Sequence, residues 1–273
     1  MINKDKIRYV AFDVDGTLLR DDKSLAEETK QAIHRLQDKG IGTMLVSGRS
    51  VHSLQNFIET LRLDETEGYL IGINGGSIYD CKTQKFIYQE KIEPSLVEEY
   101  FGAWPKENLS RAAYREGTLF TDTPTKDDVN YLKRINDMTM VSVDSLAQPM
   151  EDIDKMMIAG FQENIEPHVD GIQERFAGRL YMTYSTAIYF EAMPLGIDKG
   201  VGLTNFAKMV GGSLDQILAF GDGDNDTPLL AAAGIGVAMD NATPATKAVA
   251  DHITKSNENN GIAHFLKDHG FLS

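Results

Sequence analysis

Cysteine is nearly missing from this chain of 273 residues: Cys81 is the only one, so no intramolecular disulfide can form. It lies in a polar turn, where an inert surface thiol is expected rather than a nucleophile. Cations are in the minority as well, with 27 Lys and Arg against 41 Asp and Glu for a net charge of −14. No basic stripe offsets this balance, which excludes a nucleic-acid backbone as partner. A small anionic ligand would need positive charge gathered locally. No apolar run approaches the length of a membrane span, and the first residues lack the apolar core of a signal peptide. A membrane is therefore excluded as partner, and a cytoplasmic location is expected. The six histidines are scattered. None has the His-Glu-x-x-His spacing of a zinc helix, and they are assigned to surface or packing roles. Repeats and low-complexity segments are absent too, and the sequence is silent on oligomeric state. What is present is a 42% hydrophobic composition, enough for ordinary globular cores and, at this length, for two domains.

The pattern along the chain is an apolar run, a few small polar residues, then a helix, repeated. Tyr9-Val10-Ala11-Phe12 leads into Asp13, and Ser24-Leu25-Ala26-Glu27 reads as a capping box for a helix that Gly40 stops. Ile41 to Val46 leads into Ser47-Gly48-Arg49, followed by apolar positions at Val51, Leu54, Phe57, Ile58 and Leu61. Tyr69 to Ile73 ends in Asn74-Gly75-Gly76. Much later Ile217 to Phe220 ends in Gly221-Asp222-Gly223-Asp224-Asn225-Asp226, with Thr227-Pro228 opening a helix, and Ile235 to Met239 runs into Asp240-Asn241. Short apolar runs alternating with helices read as a parallel sheet covered on both faces. The fold class is thus α/β with a Rossmann-like parallel core. Five runs in parallel register would all point at one crevice.

The core is interrupted. Residues 1–80 and 195–273 form it, and residues 81–194 read as an inserted α+β domain. In the insert Pro94 to Trp104, Asp127 to Asn136 and Ile165 to Ala177 look helical. Ala112 to Phe120 and Lys155 to Phe161 look like strands, and Leu180 to Thr183 with Ile188 to Ala192 like a hairpin.

Asp13 and Asp15 lie one residue apart, where an apolar strand gives way to the turn at Gly16. Ligands bind outside the carboxyl ends of strands in open α/β sheets, so two carboxylates there are a catalytic address. An Asx turn is the plainer alternative. The acids of 222–226 invite comparison with a calcium loop, but the sixth position is Thr227 rather than Gly and the twelfth is Ala233 rather than Glu, which rejects that reading.

With Asp13-x-Asp15-Gly16-Thr17, Ser47-Gly48-Arg49, Lys199 in Ile197-Asp198-Lys199-Gly200, and Gly221-Asp222-x-x-Asn225-Asp226 all present, the chain resembles the haloacid dehalogenase superfamily. The likeness is to the Cof-type branch of phosphatases with an α/β cap of type IIB. It runs from about residue 8 to residue 265, including Asn74-Gly75 and the Asn257 to Gly261 region. The resemblance implies that residues 81–194 are the cap. It further implies that Asp13 is the nucleophile, that Asp15 is the acid and base, and that Thr17 orients Asp15. Ser47 and Lys199 would hold the phosphoryl group, with Gly48, Arg49, Asn74, Asn225 and Asn241 around it. Mg2+ would be bound by Asp13, Asp222 and the Asp15 backbone carbonyl, with Asp226 at the rim of that metal set.

Elementary chemistry is consistent with those roles. Phosphoryl transfer requires a nucleophile, a proton shuttle, a cation and donors for the phosphoryl oxygens. Carboxylates facing a phosphate repel it unless a hard cation intervenes, and magnesium prefers oxygen ligands. The expected activity is magnesium-dependent hydrolysis of small phosphorylated metabolites such as sugar phosphates. A phosphomutase is the alternative, a non-catalytic sensor of a phosphorylated ligand is a further one, and dehalogenation is disfavoured by the surplus acids. Relatives often carry glycine at the position of Asp240, which is expected to face solvent. In the insert Arg111, Arg115, Arg179 and Tyr184 are polar candidates for substrate contact, against a plainer reading as surface or packing groups.

Overall fold

The computed structural model describes residues 3–124, 138–186 and 188–273. The expected helix at Asp127 to Asn136 lies outside them. The chain divides into two compact units, residues 1–89 with 198–273, and residues 90–197.

The first unit begins with β1 (Tyr9–Phe12), α1 (Glu27–Asp38), β2 (Gly42–Val46), α2 (Val51–Leu54), α3 (Asn56–Thr60), β3 (Gly68–Gly72), β4 (Ser77–Asp80) and β5 (Lys85–Gln89). The second unit contributes α4 (Pro94–Ala103), β6 (Ser110–Arg115), β7 (Thr118–Thr121), β8 (Thr139–Ser142), β9 (Lys155–Ala159), α5 (Gln162–Phe176), β10 (Leu180–Thr186) and β11 (Tyr189–Pro194). The first unit is completed by α6 (Lys199–Met209), β12 (Ile217–Gly221), α7 (Thr227–Ala232), β13 (Ile235–Ala238), α8 (Pro244–Val249), β14 (His252–Ile253) and α9 (Gly261–Asp268).

The core sheet has the order β14-β13-β12-β1-β2-β3-β4-β5. Strands β1, β2, β3, β12, β13 and β14 run parallel, and β4 and β5 are antiparallel additions at one edge. Every residue of β1 is buried, because its two faces are both covered. Val10 and Phe12 pack with Ile33, Leu36 and Leu266, while Tyr9 and Ala11 pack with Leu203, Phe206 and Leu230. The chain walks one way from β1 to β3 and the other way from β12 to β14, so the switch point lies between β1 and β12. A crevice opens at such a point, beyond the strands' carboxyl ends.

The structure departs from the sequence reading in four places. The boundary of the core falls at Gln89 rather than residue 80, since β5 pairs with β4 from Lys85 to Gln89. Helix α1 begins at Glu27 with Ala26 as its N-cap and no side-chain capping bond, so Ser24 makes no capping box. The segment from Ala112 to Phe120 is two strands: Glu116 and Gly117 take φ of 41° and 76° and turn β6 into β7. Cys81 is fully buried within the core instead of lying at the surface, and burial pushes its thiol up to about 12. Its neighbours in sequence are polar, but β4 carries it beneath them.

The second unit is an α+β domain with sheet order β10-β11-β9-β6-β7-β8. Helices α4 and α5 place Val97, Tyr100, Phe101, Ile165, Ile172 and Phe176 in one apolar cluster with Ile158 and Phe190 of the sheet. Among the described residues no helix is long and apolar enough to cross a membrane.

Candidate active site

Five parallel strands deliver their last residues to the same edge of the core sheet. Asp13 follows β1, Ser47 follows β2, Asn74 follows β3, Asp222 follows β12 and Asn241 lies just beyond β13. The chain folds back immediately after Asp13, with the amides of Leu18 and Leu19 donating to the carbonyls of Asp13 and Val14 at 3.1 and 2.9 Å. Gly16 makes that turn possible. Its φ is 87°, and a Cβ there would run into the carboxylate of Asp222.

Asp13 is 5% exposed, and its Oδ1 accepts from Lys199 Nζ at 2.6 Å. Its Oδ2 is buried with no hydrogen-bond partner. Lys199, first residue of α6, is 1% exposed and also donates to Asp226 Oδ1 at 2.5 Å. Burial alone would lower the Lys199 ammonium, but Asp13 and Asp226 outweigh it and hold the group above its ordinary value. Burial and the nearby Asp226, with Asp222 adding to them, push the Asp13 carboxyl up to about 8 despite Lys199. Burial raises Asp222 in the same direction.

Asp13, Asp222 and Asp226 each present an oxygen within 4.8 Å of the others. A divalent cation fits this set, because all donors are oxygen and the three carboxylates outnumber the one ammonium. Asp226 is the most constrained of the three, its Oδ2 accepting from the amides of Asp222 and Gly223 at 2.9 Å each while Oδ1 holds Lys199. It shapes the loop that presents Asp222 rather than offering free lone pairs. Asp224 is turned aside to Thr243, whose hydroxyl donates to its Oδ1, and the loop runs directly into α7.

The structure places other expected residues differently. Thr17 does not orient Asp15: its Oγ1 donates to Asp222 Oδ1 at 2.7 Å, because the turn at Gly16 carries it across to β12. Arg49, expected around the phosphoryl group, grips Asp15 through Nε–Oδ2 at 2.7 Å and Nη2–Oδ1 at 2.6 Å. Burial would raise the Asp15 carboxyl, but the bonds from Arg49 and Lys23 prevail and leave it below its ordinary value. The carboxylate of Asp15 is not part of the three-acid cluster.

Ser47 is buried and its Oγ accepts from the Arg49 amide at 3.2 Å, which leaves its proton for another acceptor. Gly48 lets the Asn74 side chain lie close, since a Cβ there would sit 3.2 Å from Asn74 Oδ1. Asn74 itself is left-handed, with φ of 50°, and accepts from Asn225 Nδ2 at 3.1 Å. Asn241 donates to the Gly16 carbonyl at 2.8 Å and to Asp222 Oδ2 at 3.3 Å. Asp240 points to solvent, its side chain 71% exposed.

Two further residues join the site without having been named as site residues from the sequence. Lys23 reaches Asp15 Oδ1 at 3.0 Å from the turn that follows the Asp13 loop, and Asn257, in the region the resemblance covers, donates its amide to Asn241 Oδ1 at 3.1 Å. The polar candidates of the second unit are already engaged within it. Arg111 is buried and forks onto Asp122 and the Phe101 carbonyl, and Arg179 pairs with Glu99 at 2.6 Å. Arg115 lies over the Phe120 ring at 4.5 Å, and Tyr184 bonds Glu166 at 3.3 Å.

A model of the haloacid dehalogenase-like hydrolase family matches residues 10–266. The chain is 28% identical over 274 residues to the 5-amino-6-(5-phospho-D-ribitylamino)uracil phosphatase of Bacillus subtilis, covering 95% of this chain and 96% of that protein. It is 26% identical over 261 residues to the HMP-PP phosphatase of Klebsiella pneumoniae, covering 95% and 94% respectively. A crystal structure of a haloacid dehalogenase-like hydrolase from Bacteroides thetaiotaomicron superposes with a TM-score of 0.90 at 26% identity, covering 96% of this chain and 99% of that one.

Proposed function

Since this chain belongs to the haloacid dehalogenase-like hydrolase family and is one of its phosphatases, we propose that it hydrolyses small phosphomonoesters through an aspartyl-phosphate on Asp13. Sugar phosphates and similarly sized metabolites are the substrate class. The observation that carries this reading is the asymmetry of Asp13: Oδ1 is held by Lys199 while Oδ2 is buried, unbonded and therefore available to attack.

In the first step Asp13 Oδ2 forms a bond to phosphorus as the phosphorus to ester-oxygen bond breaks. The departing oxygen takes a proton from Asp15. In the second step Asp15 removes a proton from water, the hydroxyl oxygen adds to phosphorus, and the Asp13 to phosphorus bond breaks to release inorganic phosphate. Lys199 holds the nucleophile and supplies a fixed positive charge beside the transferred group, and the Ser47 hydroxyl donates to a phosphoryl oxygen. Mg2+, held by Asp13, Asp222 and the Asp15 backbone carbonyl, would neutralise the carboxylates and the phosphoryl charge. Asp226 and Thr17 keep Asp222 in place for it.

Chelation is the first test. Activity against a panel of phosphorylated metabolites should vanish in chelator and return with Mg2+, and return poorly with Ca2+, whose coordination is longer and less strictly octahedral. A folded Asp13→Asn variant should stay inactive in all three conditions. Full turnover in chelator, or near-normal turnover by Asp13→Asn, would overturn the reading.

A further inference from the structure

Asp15 is held by a second cation. Oδ1 accepts from Arg49 Nη2 at 2.6 Å and from Lys23 Nζ at 3.0 Å, and Oδ2 accepts from Arg49 Nε at 2.7 Å. Lys23 sits at the tip of the hairpin that follows the Asp13 loop, in a turn closed by Lys23 N to Arg20 O and Arg20 N to Ser24 O, both 2.9 Å. Its φ is 67°, a left-handed conformation that glycine or asparagine takes far more readily than lysine. Such a residue persists only where its surroundings fix it. Here they do. Asn257 Nδ2 donates to the Leu19 carbonyl at 3.0 Å, the Asp21 amide donates to Glu258 at 2.8 Å, and Arg20 Nη2 donates to Asn260 at 3.3 Å. The hairpin is pinned from behind at three successive residues, and the strained Lys23 backbone aims its side chain back at Asp15. That side chain is 61% exposed, so the ammonium approaches the carboxylate from the solvent side.

Arg49 gives one edge of its guanidinium, Nε and Nη2, to Asp15. A phosphoryl group held by Ser47, as assigned above, would compete with Asp15 for that edge, since a doubly charged phosphate attracts a guanidinium more strongly than one carboxylate does. If the guanidinium turns to phosphoryl oxygens, Asp15 Oδ2 gives up its Arg49 bond and Oδ1 keeps Lys23. We propose that Lys23 is a positioning residue, the ammonium that keeps the Asp15 carboxyl group directed at the leaving oxygen of a phosphomonoester while Arg49 is drawn onto the phosphoryl group. This rests on the acid and base role assigned to Asp15 above. Lys23 touches neither phosphorus nor the leaving oxygen. Its effect belongs in kcat, and it grows with the leaving oxygen's need for a proton.

The test compares a hexose phosphate, whose alkoxide must be protonated, with p-nitrophenyl phosphate, whose phenolate leaves without help. Both are measured at saturating Mg2+ with the intact enzyme and with Lys23→Met, Lys23→Arg and Asp15→Asn. Lys23→Met should lower kcat on the hexose phosphate roughly 10- to 100-fold, with KM within about twofold and at most about a threefold loss on the nitrophenyl ester. Lys23→Arg should restore most of the loss, and Tm should not move. Equal losses on both esters with a lowered Tm, a raised KM with kcat intact, or unchanged kinetics would each overturn the proposal. Asp15→Asn separates the two claims. If it loses both esters equally, the acid role of Asp15 fails and the role of Lys23 falls with it. If Asp15→Asn discriminates between the esters and Lys23→Met does not, only the proposal for Lys23 fails.

Discussion

Asp13 carries two opposing demands, burial and charge, and its environment has a measurable consequence away from catalysis. A carboxyl whose ordinary value is 3.8 is pushed up to about 8 in the folded protein by burial and by its acidic neighbours. The folded state then keeps a proton that the unfolded chain releases. This contribution to stability is present below about pH 4 and is lost as pH rises towards 8. In metal-free protein, thermal unfolding followed across that window should show the wild type losing a few kcal/mol relative to Asp13→Asn. Mg2+ should remove most of the difference by neutralising the cluster. Parallel pH profiles for the two metal-free proteins would contradict this account of Asp13. The identities of Asp13, Asp15, Lys199 and Asp222 were legible in the sequence, because motif spacing and strand ends mark them. Their partners were not. Thr17 bonds Asp222 and Arg49 bonds Asp15 because the turn at Gly16 decides which side chains meet across 205 and 34 residues of chain.

Among the elements, the loop after β1 is the most exacting. Gly16 combines a φ of 87° with a Cα that faces the Asp222 carboxylate directly. Gly16→Ala should therefore cost about 1–3 kcal/mol of stability and displace Asp222, lowering turnover further than the stability loss explains. Denaturant unfolding and steady-state kinetics on the same preparation check both parts, and a variant unchanged in both would show that the turn tolerates a side chain. Parallel strands were readable here because burial on both faces makes them continuous apolar runs, as in β1, β2 and β12. Antiparallel β4 and β5 were missed, since they are short strands of four and five residues, Ser77–Asp80 and Lys85–Gln89, with polar residues at both ends. The β6–β7 hairpin read as one strand for a related reason. Its turn is only Glu116-Gly117, too brief to interrupt the apolar pattern on either side.

For the whole molecule, we propose that the division into two units separates tasks. Every candidate catalytic, phosphate-binding and metal-binding residue lies in the first unit, residues 1–89 with 198–273. We expect the second unit to set substrate preference. Exchanging residues 90–197 for the corresponding segment of a relative with another substrate should move the order of kcat/KM across a metabolite panel and leave magnesium dependence intact. An unchanged order would place recognition in the first unit. The central claim, covalent catalysis by Asp13, is tested most directly by the stereochemistry of transfer from a phosphomonoester made chiral at phosphorus with oxygen isotopes, using an alcohol acceptor or isotopic water. Two in-line displacements, the first by Asp13 Oδ2 and the second by the acceptor oxygen, each invert phosphorus. Net retention of configuration is the expected result, and net inversion would show that water attacks the ester directly and that Asp13 is never phosphorylated.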